Sequence, residues 1–255
     1  MIKILTFRNN VVEILKSTEE VSSVIGKKGT YVWVDIQKPS DTDIRFLEKH
    51  FLFHPLAIED CMSTIQRPKI DRYERYLFVV LHAAHIGTHR NKATAHELDT
   101  FVGENYVVTV HTNPIPSVSM TWERCLRNAQ IMSRGTGYLF YYLTDALVDN
   151  YFPIIEKLDK EIEKCEDSVF KNPDSNVPNK IFFLKENVMI LRRNIGPQRE
   201  ITNFIARGGY EPIIPNNLSV YFRDVADLLA RISDSLDLYR DTLTTAMDGY
   251  MSSTS

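Results

Sequence analysis

The chain has no long apolar run. Its best, Tyr76-Leu-Phe-Val-Val-Leu81, is six residues, against the roughly 20 that a bilayer-spanning helix needs, so no segment of it is expected to cross a membrane. Met1-Ile-Lys-Ile-Leu5 reads as a first strand, and no signal peptide follows it. Cysteine is scarce: Cys61, Cys125 and Cys165 are an odd number at no metal-ligand spacing, which points to reduced structural thiols. There are only ten glycines, no glycine-rich phosphate loop and no paired-cysteine metal site, so an enzyme has little support. A net charge of −3 argues against nucleic acid and against a polybasic membrane contact. What remains, with 25% charged and 44% hydrophobic residues, is a soluble cytoplasmic chain with one sizeable core, or a core plus an appendage.

One further absence organises the rest. After Pro215 there is no proline and, until Gly249, no glycine, so nothing interrupts a helix from about Asn217 to Ser255. Phe222, Val225, Leu229, Ile232, Leu236, Tyr239, Leu243, Ala246 and Tyr250 recur at alternating steps of three and four. That is a seam for lengthwise packing against other helices. At ~1.5 Å per residue the helix runs roughly 50 Å. Asp227, Asp234, Asp241 and Asp248 fall seven apart and line one stripe away from the seam. With no strong stop signal after Gly249, the helix is expected to continue past Ser255 into something not present here.

Residues 1 to about 112 alternate between strand and helix patterns. Thr30–Ile36, Tyr76–Leu81 and Tyr106–His111 are strand-like, with a further strand over His96–Val102. Ser40 caps a helix over Asp41–Phe51 and Pro55 opens a short one through Cys61, with Gln66–Ile70 as a connector. This is a mixed α/β unit. Helices are predicted over Ser117–Arg134, Gly137–Lys171 and Asn179–Ala206. The second uses Tyr151, Ile155, Leu158, Ile162, Cys165 and Val169 as its seam, and the third Leu184, Val188, Leu191 and Ile195. The expected organisation is a mixed sheet sandwiched by helices over 1–215, including a helical subdomain at about 117–208, and a stalk helix over 216–255.

Three segments resemble the CorA family of divalent-cation channels. They are Phe53-His-Pro-Leu-Ala-Ile-Glu-Asp60 with Gln66-Arg-Pro-Lys-Ile70, then Tyr138–Phe152, then Tyr221-Phe-Arg-Asp224 leading to Leu243–Ser253. The resemblance implies an α/β sandwich whose last helix becomes the first transmembrane helix of a homopentameric magnesium (cobalt, nickel) pore. It places this region in the cytoplasm and the whole protein in the cell (inner) membrane. The family's Gly-Met-Asn signature would lie beyond Ser255, so ion selectivity stays open, and a zinc transporter of the same superfamily is the alternative. A soluble coiled-coil interaction domain would also explain the seam.

The resemblance also nominates residues. Asp224 matches a stalk aspartate that binds regulatory Mg²⁺ between subunits, Asp145 an acidic member of that cluster, and Asp248 a pore-facing aspartate ring. On composition alone, each is a solvated helix carboxylate. The loop where the family usually supplies acidic partners reads His85-Ile-Gly-Thr-His-Arg-Asn-Lys-Ala93, with no carboxylate. His82, His85 and His89 sit three and four apart, a zinc pattern on a helix. If the strand through Leu81 continues, however, His82 and His85 point to opposite faces. His96 lies nearby.

Overall fold

The computed structural model describes residues 1–62, 66–87, 92–171 and 175–253, without the side chains of Phe170 and Lys171. Seven strands form one mixed sheet: β1 (Ile2–Arg8), β2 (Val11–Ile14), β3 (Tyr31–Gln37), β4 (Lys69–Arg72), β5 (Tyr76–Ile86), β6 (Ala93–Gly103) and β7 (Tyr106–His111). Their order is β2-β1-β3-β7-β6-β5-β4. Only β3 and β7 run parallel, in the register Trp33 with Val107; the other neighbours are antiparallel. The expected mixed α/β architecture is therefore present.

Both faces of the sheet are covered. On one lie α1 (Val21–Val24), α2 (Asp41–Phe51) and α3 (Pro55–Met62), packed around Phe51, Phe53, Phe101 and Tyr106. Phe53 stacks on Phe101 with ring centroids 3.9 Å apart. Ser40 caps α2 as expected: its side chain accepts from the Asp43 amide, and the Asp43 carboxylate accepts from the Ser40 amide at 2.9 Å. The other face carries α4 (Pro116–Arg127), α5 (Gln130–Ser133), α6 (Thr136–Asp149), α7 (Phe152–Lys171), α8 (Val177–Ala206) and α9 (Ser219–Ser253). The apolar cluster there runs without interruption from the sheet to Ala246.

The sequence-predicted helices are corrected at two places. The span 137–171 is two helices, α6 and α7, broken at Asn150–Tyr151. Pro153 has no N–H to donate back to Asp149, and it sits in the first turn of α7, where none is needed. Tyr151 nevertheless stays buried, so the seam passes through the break. The span 117–134 is likewise α4 followed by the short α5. Two edge strands were not anticipated, β2 and β4, the latter including part of the presumed connector. β5 also runs five residues further than its apolar core, to Ile86.

In α9 the seam is as read: Phe222, Val225, Leu229, Ile232, Leu236, Tyr239, Leu243 and Ala246 are all buried, and Tyr250 is half-buried. The partners are α7 and α8. Arg192 on α8 pairs with Asp237 on α9 at 2.5 Å. Asp227, Asp234, Asp241 and Asp248 are exposed, as a stripe away from the seam requires. Among the described residues, no helix is long and apolar enough to cross a membrane.

Candidate functional site

α6 packs against α9, and this contact brings two of the nominated aspartates into one electrostatic neighbourhood. Asp145 is half-buried on α6, and Asp224 is exposed one turn into α9. The Asp145 carboxyl is pushed up to about 6, first by burial, then by the negative charges of Asp149 and Asp224. The Tyr141 hydroxyl is pushed up too, by burial first and then by Asp145, Tyr138, Asp224 and Tyr221. Like charges held together in this way favour any cation that can sit among them.

Aromatic rings form the floor of this surface. Tyr141 lies 4.9 Å from Tyr221 and 5.9 Å from Phe222, while Tyr138 meets Tyr221 edge-on at 5.8 Å. Arg134 lies over Tyr138 at 3.6 Å and donates to the Tyr221 hydroxyl at 2.9 Å. The rings fix the α6–α9 contact and so the spacing of the carboxylates. Asp149 is the member that sequence reasoning missed. It closes α6 and is the largest charge acting on Asp145.

Asp248 stands elsewhere, exposed near the end of α9. It lies 24 residues past Asp224, about 6.7 turns at ~3.6 residues per turn, which puts the two on different sides of the helix. The structure does not bring Asp248 together with Asp145 and Asp224.

The histidine pattern dissolves as a zinc site. His82 and His85 lie on the extended β5, three residues apart and hence on opposite faces. His82 is buried, with Nδ1 2.7 Å from the Asn194 side-chain oxygen and Nε2 2.8 Å from the Gln66 carbonyl oxygen. Its amide donates to Gln198 and its carbonyl accepts from Tyr151, which ties β5 to α8. His85 stacks on His96 at 4.7 Å. His89 lies outside the described residues. Among those residues, no three of His, Cys, Asp and Glu are gathered closely enough to hold a metal ion.

A mixed seven-strand sheet flanked by helices, ending in one long helix, defines the fold of this domain. The sequence profile described as "CorA-like Mg2+ transporter protein" matches residues 28–255, and the chain belongs to the CorA family. It is 31% identical over 242 residues to the cobalt/magnesium transport protein CorA of Thermotoga maritima, covering 93% of this chain and 69% of that one. The soluble domain of CorA from Methanocaldococcus jannaschii has the same fold, with a TM-score of 0.81 at 20% identity over 98% of this chain and 96% of that one. So does the cytoplasmic domain of ZntB from Vibrio parahaemolyticus, with a TM-score of 0.77 at 13% identity, covering 99% and 97%. The family is one of transporters, not enzymes.

Proposed function

We propose that this chain is the cytoplasmic regulatory and funnel domain of a homopentameric magnesium channel that also passes cobalt or nickel. In this reading α9 is a stalk that continues into the first membrane helix, and cytoplasmic Mg²⁺ binds between neighbouring subunits through Asp145 and Asp224. The observation that carries it is the α6–α9 surface, where the charges of Asp149 and Asp224 both act on Asp145 beside the Tyr141–Tyr221 contact. Carboxylate oxygen is the donor Mg²⁺ prefers, and Mg²⁺ keeps several of its waters, so sparse ligands suffice. No single chain completes such a site among its described residues. The 85–93 stretch carries no carboxylate and so adds no acidic ligand to this surface.

Asp248 would form a ring of five carboxylates near the pore, concentrating cations and disfavouring anions. The chain spans 69% of the Thermotoga maritima transporter's length, which leaves room for membrane segments in a longer parent protein. The shared fold with ZntB supports a second reading, in which the transported ion is zinc. Metal bound only to the closed ring stabilises that state by mass action. Millimolar Mg²⁺ is therefore expected to raise the Tm or the protease resistance of the assembled protein, and Asp224→Ala to abolish that increment. An identical response of wild type and variant would remove the site from this surface.

A further inference from the structure

Four side chains meet on the parallel pair of strands at the centre of the sheet: Trp33 and Asp35 on β3, Thr109 and His111 on β7. Trp33 and Val107 belong to the core on the α4–α9 side. Side chains two apart on a strand share a face, so Asp35, Thr109 and His111 are turned the same way. All three are buried. α4 reaches this face through Trp122, whose ring lies 5.1 Å from that of Trp33, and Lys3 of β1 extends over Trp122 at 6.0 Å.

The contacts have a fixed direction. An indole can only donate, and that of Trp33 donates to Thr109 Oγ1 at 3.0 Å. The Thr109 hydroxyl gives its own proton to Asp35 Oδ1, 2.6 Å away. At the far end the Asn113 carbonyl can only accept, so His111 Nδ1, 2.6 Å from it, carries a proton. His111 Nε2 faces the same Asp35 oxygen at 3.3 Å and has no hydrogen-bond partner among the described residues. Both ring nitrogens therefore face oxygen acceptors. Only an imidazolium suits both; a neutral ring would turn a lone pair on one of them. Asn113 lies in residues 112–115, the link from β7 to α4.

The charges around the ring agree with this. Burial by itself would push His111 down, but Asp35 and the Asn113 carbonyl hold it above its ordinary value, against the opposing charge of Lys3. β6 adds His96, Glu97 and Asp99, and α3 adds Cys61; the last three line a small cavity with His111. The buried residues of α4 include one titratable group, Cys125, whose thiol burial pushes up to about 12. His96 behaves in the opposite way to His111: burial and His85 push it down.

We propose that Asp35 and His111 form a proton-held latch. While the pair keeps its proton, it pins the 112–115 link and the start of α4 to the centre of the sheet; when that proton leaves for solvent at alkaline pH, the link loosens. A group raised in the fold stabilises it fully below its unfolded value, about 6.5 for histidine, and that contribution is lost as pH rises through the folded value. Nothing in the proposed Mg²⁺ sensing uses these residues.

NMR of the isotope-labelled chain tests the latch without any substitution. Its two tryptophans, Trp33 and Trp122, give two indole N–H signals. The His111 ring should titrate above the ordinary histidine value, and the Trp33 signal should shift with the same midpoint, because Thr109 and Asp35 connect the two rings. Across that range the exchange protection of the α4 amides should fall by up to about tenfold for each unit between the folded and ordinary values. His111→Gln, which keeps a donor for the Asn113 carbonyl and cannot titrate, should hold both readouts flat. Asp35→Asn should bring His111 below its ordinary value, and His85→Gln should change neither readout. A His111 midpoint at or below the ordinary value overturns the proposal. So does a Trp33 signal or an α4 protection that follows pH equally in His111→Gln.

Discussion

Asp145 shows how a single carboxyl reports on its surroundings. Burial comes first and the charges of Asp149 and Asp224 second, and together they raise its pKa to about 6. A carboxyl whose folded pKa is raised stabilises the fold below its unfolded value, near 3.9, and that contribution is lost as pH rises through about 6. Asp145→Asn should therefore have a higher Tm than wild type at pH 7.5 without divalent cations. After allowance for solvent screening of a half-exposed group the gain is about 1 kcal/mol, or roughly 2–4 °C. Thermal melts at pH 7.5 and pH 4 check the sign: the gap should close at the lower pH, and a gap that widened there would mean Asp145 is not held at a cost. Asp145 and Asp224 were nominated through resemblance, whereas on composition each was one helix carboxylate among many. Asp149 was missed because Pro153 sits where a helix tolerates proline, so the end of α6 left no mark in the periodicity. Two partners of His82, Asn194 and Gln198, lie more than a hundred residues away, beyond any local pattern.

At the scale of elements, α9 was the most legible, because its seam is enforced by packing over its whole length. Leu236 is fully buried, while Leu238, two residues on, is 63% exposed. Leu236→Ala should cost about 3 kcal/mol, and Leu238→Ala should stay within about 0.5 kcal/mol. Chemical denaturation of the chain checks both, and equal losses would mean that the buried side of α9 has been misassigned. The edge strands were the least legible. β2 and β4 are four residues each, with no buried residue in either; they are held by backbone pairing to β1 and β5, which leaves little hydrophobic alternation to read. The central strands were visible because they are buried on both faces and read as apolar β-branched and aromatic runs.

For the whole molecule, the two cores on opposite faces of the sheet have different tasks. The α1–α3 side closes the sandwich, and the α4–α9 side joins the sheet to the long helix in one continuous apolar cluster. The central claim is that cytoplasmic Mg²⁺ acts on the α6–α9 contact to close a channel. Mg²⁺ flux through the parent protein, reconstituted with its membrane segments in liposomes and followed against rising Mg²⁺ on the cytoplasmic side, tests it most directly. Wild type should conduct and then shut as that concentration reaches the millimolar range. Asp224→Ala should keep conducting, Asp248→Ala should change flux or block, and Asp234→Ala should match wild type. Closure curves for Asp224→Ala that superimpose on wild type, or a protein that carries Zn²⁺ and no Mg²⁺, would contradict the account.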